Sequence, residues 1–396
     1  MQQKIYWIAG DGVGPEVMQA ARMVMDLAVE QAFSSRNRLE WVEVLAGDMA
    51  RQICGHPLPE ESLKQLREEA NVVLKGPLGT PVGSGYRSLN VALRRMFDLY
   101  ACIRPVRYFQ GVASPLRRPE LVDMVIFREN TEDVYTGIEW PARSAEAKKL
   151  IDFLRDELQV ELDPAAALGL KPMSETGSKR LVRRAIAFAL DKGRSSVTLV
   201  HKGNIMKHTE GAFQGWGYAV AEQEFAGRCV REGLAPGNGA AKLVIKDRIA
   251  DNMFQQALLK PQEYDVIATT NLNGDYLSDA LAAQVGGLGL APGANIGDQM
   301  AVFEPTHGTA PDIAGQDWVN PTSMILSGAM LLEHLGWAQA AERMVRAVEA
   351  VIAAGTVTPD LAASTSGVRE VGCRAFCDLV CEQLENPKRN IDRDCV

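Results

Sequence analysis

Short apolar segments alternate with helical segments along the N-terminal part of the chain, and this alternation restricts the fold more than any other feature. The runs KIYWIA, LEWVEVLAG and NVVLKGPLG are typical of strands. The segments between them, PEVMQAARMVMDLAVEQAF and PEESLKQLREEA, have the periodicity of amphipathic helices. Strands that alternate with helices form sheets with substantial parallel character, so we predict an α/β fold.

Composition excludes several classes of protein. The 396 residues carry a net charge of -8, whereas nucleic-acid binding needs basic patches, so no nucleic-acid partner is expected. The N-terminus runs directly into a strand pattern, and no apolar run reaches transmembrane length, so we expect neither a signal peptide nor a membrane partner. Seven cysteines without a secretory signal indicate reduced thiols and a cytoplasmic location.

The glycine-rich turn GDGVG after the first strand resembles a dinucleotide-binding fingerprint only superficially. Gly10, Gly12 and Gly14 follow the spacing G-x-G-x-G, and no acidic residue ends the second strand where a ribose partner would lie. We therefore interpret this segment as a tight strand-to-helix turn and predict a fold other than the Rossmann fold.

Arginines and aspartates at the ends of elements form two candidate groups. Arg94, Arg104 and Arg128 occur in apolar contexts beside Ser88 and Asn90, and a guanidinium binds a carboxylate through two parallel hydrogen bonds. The aspartates form two pairs at helical i, i+4 spacing, and Mg²⁺ favours such oxygen ligands. The two pairs are Asp247 with Asp251 and Asp275 with Asp279.

Two further features suggest proton transfer and nucleotide binding. Tyr135 and Lys202 are candidates for moving protons, since a lysine beside a strand end can lose its charge on burial. The long glycine-containing segment from residue 286 leads into FEPTHGTAP, where His307, Gly308 and Thr309 are candidates for a loop around a nucleotide.

Long blocks of this sequence resemble the bacterial homodimeric isocitrate dehydrogenases of the isocitrate/isopropylmalate dehydrogenase family. The blocks include KGPLGTPVGSGYRSLNVALRR, MVIFRENTEDVYTGIEW, VTLVHKGNIMK, TTNLNGDYLSDALAAQVGGLGLAPGANIGD and FEPTHGTAP, and they extend over nearly the whole chain. The resemblance implies an NAD-dependent oxidative decarboxylation of isocitrate to 2-oxoglutarate and CO₂ with Mg²⁺ or Mn²⁺, a step of the tricarboxylic acid cycle.

The resemblance also implies a role for each matching residue. Isocitrate would be held by Ser88, Asn90, Arg94, Arg104 and Arg128. The catalytic pair would be Tyr135, which protonates the enolate carbon, and Lys202, which assists at the hydroxyl. The metal ligands would be Asp251, Asp275 and Asp279. The dinucleotide would be bound by Thr80, His307, Gly308, Thr309, Ala310, Asp312, Ile313, Asn320 and Asp360.

The fold implied by the resemblance has two α/β domains and an arm. Residues 1–99 and 286–396 would form the large domain, residues 100–132 and 175–285 the small domain, and residues 133–174 an intersubunit clasp. The chain would be a homodimer in which Lys202 and Asp251 enter the neighbouring subunit's site.

Substrate and cofactor choice rest on a few positions. Ser88 and Asn90 suit the third carboxylate of isocitrate, whereas an isopropyl group would leave them unpaired. Homoisocitrate or 3-isopropylmalate remain alternative substrates, and a non-catalytic regulatory subunit is an alternative of another class. Relatives that use NADP have Lys-Tyr after HGTAP, where this chain has Asp312 and Ile313. They also have Tyr and Arg where it has Pro359 and Ala363, so we predict NAD as the cofactor.

Overall fold

A computed structural model describes residues 2–34, 36–80, 88–234 and 242–387. Its fifteen strands within these ranges are β1 (Gln2–Ile8), β2 (Arg38–Glu43), β3 (Val72–Lys75), β4 (Ala101–Arg107), β5 (Asp123–Glu129), β6 (Glu139–Trp140), β7 (Leu168–Gly169), β8 (Ser196–His201), β9 (Cys229–Arg231), β10 (Leu243–Ile249), β11 (Val266–Thr269), β12 (Pro292–Ile296), β13 (Ala301–Pro305), β14 (Thr356–Val357) and β15 (Arg369–Glu370).

The described ranges also contain thirteen α-helices. They are α1 (Gly14–Phe33), α2 (Gly47–Cys54), α3 (Glu60–Glu68), α4 (Leu89–Met96), α5 (Ala145–Leu158), α6 (Glu175–Asp191), α7 (Glu210–Glu224), α8 (Ala250–Leu259), α9 (Asn271–Gln284), α10 (Thr322–His334), α11 (Ala338–Ala353), α12 (Pro359–Ala362) and α13 (Cys373–Glu385). The α/β fold predicted from the alternating pattern is therefore confirmed.

One sheet of eleven strands organises the molecule, in the order β2-β1-β3-β13-β12-β4-β5-β11-β8-β10-β9. The four strands from β2 to β13 are parallel to one another, and so are the five strands from β5 to β9. Antiparallel pairing of β13 with β12, β12 with β4 and β4 with β5 joins these two groups. The two parallel groups consequently run in opposite directions.

Helices cover the sheet with separate apolar cores. Residues of α1, α10, α11 and α13 pack on the first parallel group, and this core includes Cys373 and Cys377. Residues of α6 and α7 pack against the second group. The segment 133–174, which follows β5 in the sequence, contains α5 and a small antiparallel sheet of β6 and β7. The strands of the first parallel group come from the segments predicted to form the large domain, and those of the second from the segments predicted to form the small domain. The domain boundaries themselves stay a prediction.

The GDGVG turn has the geometry of a tight strand-to-helix connection. Gly10 and Gly12 have φ of +86° and +58°, and α1 begins at Gly14 with a proline in its first turn. No helix in the described ranges is long and apolar enough to cross a membrane.

Candidate active site

A cavity of about 350 Å³ lies where β3, β4, β5 and β13 meet helices α4 and α9. Its charged lining consists of four cations and two carboxylates, so positive charge exceeds negative charge by two: Lys75, Arg94, Arg104, Arg128, Asp275 and Glu304. The three arginines predicted to hold a substrate therefore face one cavity, although they lie far apart in the sequence. Such a lining favours an anionic ligand.

Arg128 is the most buried cation in this group. Its side chain is 1% exposed and ion-pairs with Asp275 through Nη1, and Nε donates to Asn271 Oδ1 at 2.9 Å. The aliphatic part of the side chain lies against Gly274, where a Cβ atom would approach Arg128 Cγ to 2.6 Å. The glycine in the NLNGD segment is thus what allows α9 and the arginine to approach each other.

Several polar atoms in the cavity wall lack a partner. Among the described residues, the buried atoms Arg94 Nε, Arg128 Nη2, Asn90 Oδ1 and His307 Nε2 make no hydrogen bond, and all four residues line this cavity. Buried polar groups are nearly always paired in folded proteins, because each unpaired group loses its hydration without compensation. Unpaired donors on two arginines in one cavity are suited to bind an anion.

The carboxylate of Glu304 forms ion pairs with two of the cations that line the cavity. Its carboxylate contacts Lys75 Nζ at 2.5 Å and Arg94 Nη2 at 3.0 Å, and it accepts a third bond from Asn295 Nδ2 at 2.6 Å. Burial raises the pKa of Glu304, but the charges of Lys75 and Arg94 outweigh burial and hold this pKa well below its usual range. Glu304 is therefore ionised at neutral pH and fixes Arg94.

We expect Glu304→Gln to lower the free energy of unfolding at pH 7 by about 2–3 kcal/mol, because two buried cations lose their counter-charge. Since the folded-state pKa of Glu304 is depressed, its contribution exists above the ordinary carboxyl pKa and is lost as pH falls below it. Urea unfolding at pH 7 and at progressively lower pH measures this. The difference between wild type and variant should shrink on acidification.

Glu349→Gln serves as the control for this prediction, because Glu349 pairs with Arg107 at 2.7 Å on the exposed surface. An exposed pair contributes less than about 1 kcal/mol. Equal losses in the two variants would show that Glu304 has no special structural role.

Tyr135 and Asp275 form a direct pair on the same wall of the cavity. The Tyr135 hydroxyl donates to Asp275 Oδ2 at 2.7 Å, and its ring lies 4.8 Å from the guanidinium carbon of Arg128. Burial, together with the neighbouring Asp275 carboxylate, raises the pKa of Tyr135 to about 12. The hydroxyl therefore stays protonated at neutral pH and is available as an acid.

The remaining predicted substrate ligands also reach the cavity. Ser88 caps α4 and accepts a hydrogen bond from Thr80 Oγ1 at 3.0 Å, and Asn90 donates to the Leu78 carbonyl at 3.2 Å. Arg104 donates to Ser278 Oγ at 2.5 Å and to Asp279 Oδ1 at 3.2 Å. These contacts connect the arginine of β4 to helix α9.

Lys202 and Asp251 lie apart from this group. Lys202 Nζ contacts both carboxylate oxygens of Asp251, at 2.6 and 2.5 Å, and neither residue lines the cavity. Asp275 and Asp279 share α9, but within the described ranges no three His, Cys, Asp or Glu side chains are grouped to hold a metal ion. Within one chain, Asp275 and Asp279 lie together and Tyr135 lines the cavity. The third predicted metal ligand, Asp251, and the second predicted proton-transfer residue, Lys202, lie elsewhere.

The HGTA segment borders the other side of the cavity. His307, Gly308 and Thr309 line it with Thr80, and burial lowers the pKa of His307, so the imidazole is neutral at neutral pH. The GDGVG turn holds this loop: Val13 N donates to the Thr309 carbonyl at 2.9 Å. A Cβ at position 12 would lie 2.0 Å from the same oxygen, which requires glycine there.

The other predicted dinucleotide ligands lie beyond this loop. Ala310 has a left-handed φ of 37° and precedes a short 3-10 helix, Pro311–Ile313. The Asp312 side chain in that helix is solvent-exposed. Further on, Asn320 Nδ2 donates to Asp360 Oδ2 at 3.1 Å, so these two predicted residues contact each other.

Sequence reasoning missed four residues that support the site. Lys75 and Glu304 lie within apolar strand patterns, while Asn271 and Ser278 lie on α9 and contact Arg128 and Arg104. A charged residue inside an otherwise apolar strand was the available signal for Lys75 and Glu304, because such residues are rarely buried unless paired. No local signal distinguishes Asn271 or Ser278.

The comparison with known proteins identifies the family of the chain. Residues 4–380 match the family described as isocitrate/isopropylmalate dehydrogenase. The chain belongs to this family. Among similar members is the isocitrate dehydrogenase [NADP] of Archaeoglobus fulgidus, 53% identical over 390 residues, with 96% of this chain and 93% of the relative covered. That of Staphylococcus epidermidis is 51% identical over 402 residues, with 96% and 95% covered.

A solved structure of this dehydrogenase family has the same fold. The isocitrate dehydrogenase of Methylococcus capsulatus superposes with a TM-score of 0.80 at 39% identity, covering 96% of this chain and 99% of the other. This match confirms the predicted fold class.

The prediction of NAD as the cofactor, and with it of an NAD-dependent enzyme, is wrong. Dehydrogenases more than half identical to this chain are named for NADP. The prediction rested on Asp312, Ile313, Pro359 and Ala363, and of these the Asp312 carboxylate, which would face the phosphate of NADP, is exposed to solvent. Water and salt screen an exposed charge, so its repulsion of a phosphate is weak.

Proposed function

We propose that this protein catalyses the NADP-dependent oxidative decarboxylation of isocitrate to 2-oxoglutarate and CO₂. The observation that carries the proposal is one cavity lined by Arg94, Arg104 and Arg128, with unpaired donors on two of them and the Tyr135–Asp275 pair in its wall. The names of the relatives support both the substrate and the cofactor.

The arginines would bind and orient the substrate. Isocitrate carries three carboxylates, and the unpaired N–H groups of Arg94 and Arg128 can each donate to one of their oxygens. Ser88 and Asn90 offer polar groups at the same cavity, which suits a third carboxylate better than an isopropyl group. Holding the substrate by several charged hydrogen bonds fixes the reacting carbon relative to Tyr135.

Tyr135 would act as the acid of the reaction. Its hydroxyl is protonated at neutral pH, and its pKa is raised to about 12. It can therefore donate a proton to the carbon that loses CO₂, and Asp275 orients the hydroxyl through their 2.7 Å hydrogen bond. Lys202 would assist the transfer of the hydroxyl proton of isocitrate during oxidation.

The residues of α9 suit a divalent cation. Asp275 and Asp279 lie one helical turn apart and offer carboxylate oxygens, the ligands that Mg²⁺ and Mn²⁺ prefer. Asp251 of a second subunit would complete the set. When bound, the cation supplies stabilisation of the negative charge that develops on the substrate as CO₂ leaves.

The HGTA loop and its neighbours suit a dinucleotide. The unpaired Nε2 of His307 and the open space beside Gly308 face a ligand position at the edge of the cavity. Thr80, Thr309, Ala310, Asp312, Ile313, Asn320 and Asp360 would complete this cofactor site. When bound, NADP supplies the acceptor for the hydride of the hydroxyl-bearing carbon.

We also propose that the enzyme is a homodimer with shared sites. Lys202 and Asp251 contact each other outside the cavity, where a second subunit could receive them. The arm of residues 133–174 exposes apolar side chains, which is costly in a monomer and typical of an interface. These side chains are Val134, Ile138, Phe153, Leu158, Val160, Leu162 and Leu170. The clasp role of this arm, like the cytoplasmic location, stays a prediction.

Mixed dimers test the shared site. Lys202→Met and Arg128→Ala homodimers should each be inactive, but exchange of subunits should restore activity, because one of the two sites in a hybrid has both residues intact. Initial rates after exchange, with exchange itself followed by mass spectrometry of the intact dimers, provide the measurement. Proven exchange without any recovery of activity would contradict shared sites.

An initial-rate assay tests the proposed function. Isocitrate, homoisocitrate and 3-isopropylmalate are each offered with NADP and with NAD, in the presence of Mg²⁺ or Mn²⁺. The highest kcat/KM is expected for isocitrate with NADP. A higher value for another substrate would reassign the enzyme within the family, and binding of isocitrate without turnover would favour a regulatory subunit.

A further inference from the structure

Two buried carboxylates, Asp133 and Glu210, contact the same lysine, Lys171. These three residues form a buried charged group. Lys171 Nζ lies 2.5 Å from Asp133 Oδ1 and 2.9 Å from Glu210 Oε1. The side chains of Asp133 and Glu210 are 1% and 0% exposed. Because two carboxylates face one cation, the lysine holds together groups that would otherwise repel each other in a poorly solvated position.

The Asp133 end of this group anchors the segment that carries Tyr135. Asp133 has a left-handed φ of 69° and begins the 3-10 helix Asp133–Thr136. Its Oδ1 accepts from Val134 N at 2.7 Å, and its Oδ2 accepts from Leu272 N at 3.0 Å in the first turn of α9. Its own N–H donates to the Pro172 carbonyl, next to Lys171. The position of Tyr135 therefore depends on the Asp133 carboxylate.

The Glu210 end anchors Lys202. Glu210 Oε2 accepts from the backbone N–H of Lys202 at 2.8 Å and from Asn273 Nδ2 at 2.8 Å. Asn273 also lies in the first turn of α9, the helix that carries Asp275. Asp133 and Glu210 thus both bind the first turn of α9.

We propose that Lys171 is a positioning residue for both proton-transfer groups, Tyr135 and Lys202. It touches neither side chain but fixes the two carboxylates that hold their backbone segments. This inference rests on the proposed function, in which Tyr135 serves its own subunit's site and Lys202 the neighbouring one. Lys171 lies at the end of the arm. Through Asp133 and Glu210 it would connect, within one chain, the segment that serves one active site of the dimer with the segment that serves the other.

The test compares Lys171→Met with wild type. We expect kcat for isocitrate to fall at least tenfold while KM changes less than threefold, because Ser88, Asn90 and the three arginines do not contact Lys171. Lys171→Arg, which keeps the charge, should recover most of kcat. Lys179→Met is the matched control, since Lys179 pairs with the exposed Glu175 of its own helix, and its kcat should stay within twofold of wild type.

Hydrogen exchange gives a readout that does not depend on activity. Amides of residues 133–137 and 201–206 should exchange at least tenfold faster in Lys171→Met than in wild type or Lys179→Met. If Lys171→Met does not fold, Lys171→Met with Glu210→Gln, which leaves one buried carboxylate instead of two, carries the same expectations.

Unchanged kcat and unchanged exchange, or equal effects in Lys179→Met, would overturn the positioning role, and so would a KM that rises as much as kcat falls. Wild type without isocitrate activity would instead refute the proposed function. In that event faster exchange at both segments would still support the structural connection, and unchanged exchange would refute it.

Discussion

Replacing Arg128 by alanine should lower kcat/KM for isocitrate by about 140- to 4000-fold. The guanidinium is 1% exposed and has an unpaired Nη2 in the cavity. Removing it leaves both Asp275 and a substrate carboxylate without their counter-charge in a poorly solvated site. Loss of one partner of a buried pair costs roughly 3–5 kcal/mol, and each 1.4 kcal/mol corresponds to about tenfold.

The measurement is a set of initial rates at fixed metal and saturating NADP, with Arg118→Ala as the matched control. Arg118 pairs with Glu120 on the exposed surface, 3.1 Å away, so its loss should have little effect. A decrease of less than tenfold for Arg128→Ala would mean that Arg128 does not bind the substrate.

Asp275→Asn should lower kcat about a thousandfold while leaving the protein folded. Asparagine keeps the shape of the side chain but removes the charge that pairs with Arg128 and that would bind the cation. Stabilisation by a bound metal contributes several kcal/mol, and about 4 kcal/mol corresponds to roughly a thousandfold in rate. The rates are measured over a range of Mg²⁺ and Mn²⁺ concentrations, with folding checked by thermal unfolding.

Asp156→Asn is the control, because Asp156 forms only a surface pair with Arg155 in the structure. Its turnover should equal that of wild type and should stop on addition of excess chelator. Turnover of wild type that survives the chelator, or full activity in Asp275→Asn, would refute the metal-dependent mechanism.

The local elements of the fold were predictable, but their arrangement was not. Alternation predicted the strand that became β1, and the helical segment PEESLKQLREEA became α3. In contrast, nothing in the sequence of β12 indicates that it lies between β13 and β4. Strand order depends on how whole helices cover the sheet, and hydrophobic periodicity reports only which face of a segment is buried.

The site was predictable where a residue's chemistry is unusual for its surroundings. Arg104 and Arg128 stand in apolar strands, and the structure brings both to one cavity. Asn271 and Ser278 carry no such signal, because amides and hydroxyls are common on helices and only the fold shows what they touch. Only the family resemblance assigns Asp251 and Lys202 to the active site, because neither residue lines the cavity of its own chain.

The wrong cofactor prediction has a related cause. A sequence shows that Asp312 is negatively charged but does not show how much water surrounds it. The strength of a charge interaction varies severalfold with that difference. Asp312 was one of four grounds for the prediction, and the exposure of its side chain is provided only by the structure.

The position of β12 and β13 in the middle of the sheet has a consequence for biosynthesis. Until residues 292–305 have been made, β3 and β4 each present an edge without its final neighbour. Open edges invite pairing with other chains, and contacts between distant parts of a sequence form slowly. Nascent chains and C-terminally truncated fragments should therefore aggregate and need chaperones, whereas the finished chain closes both edges with one hairpin.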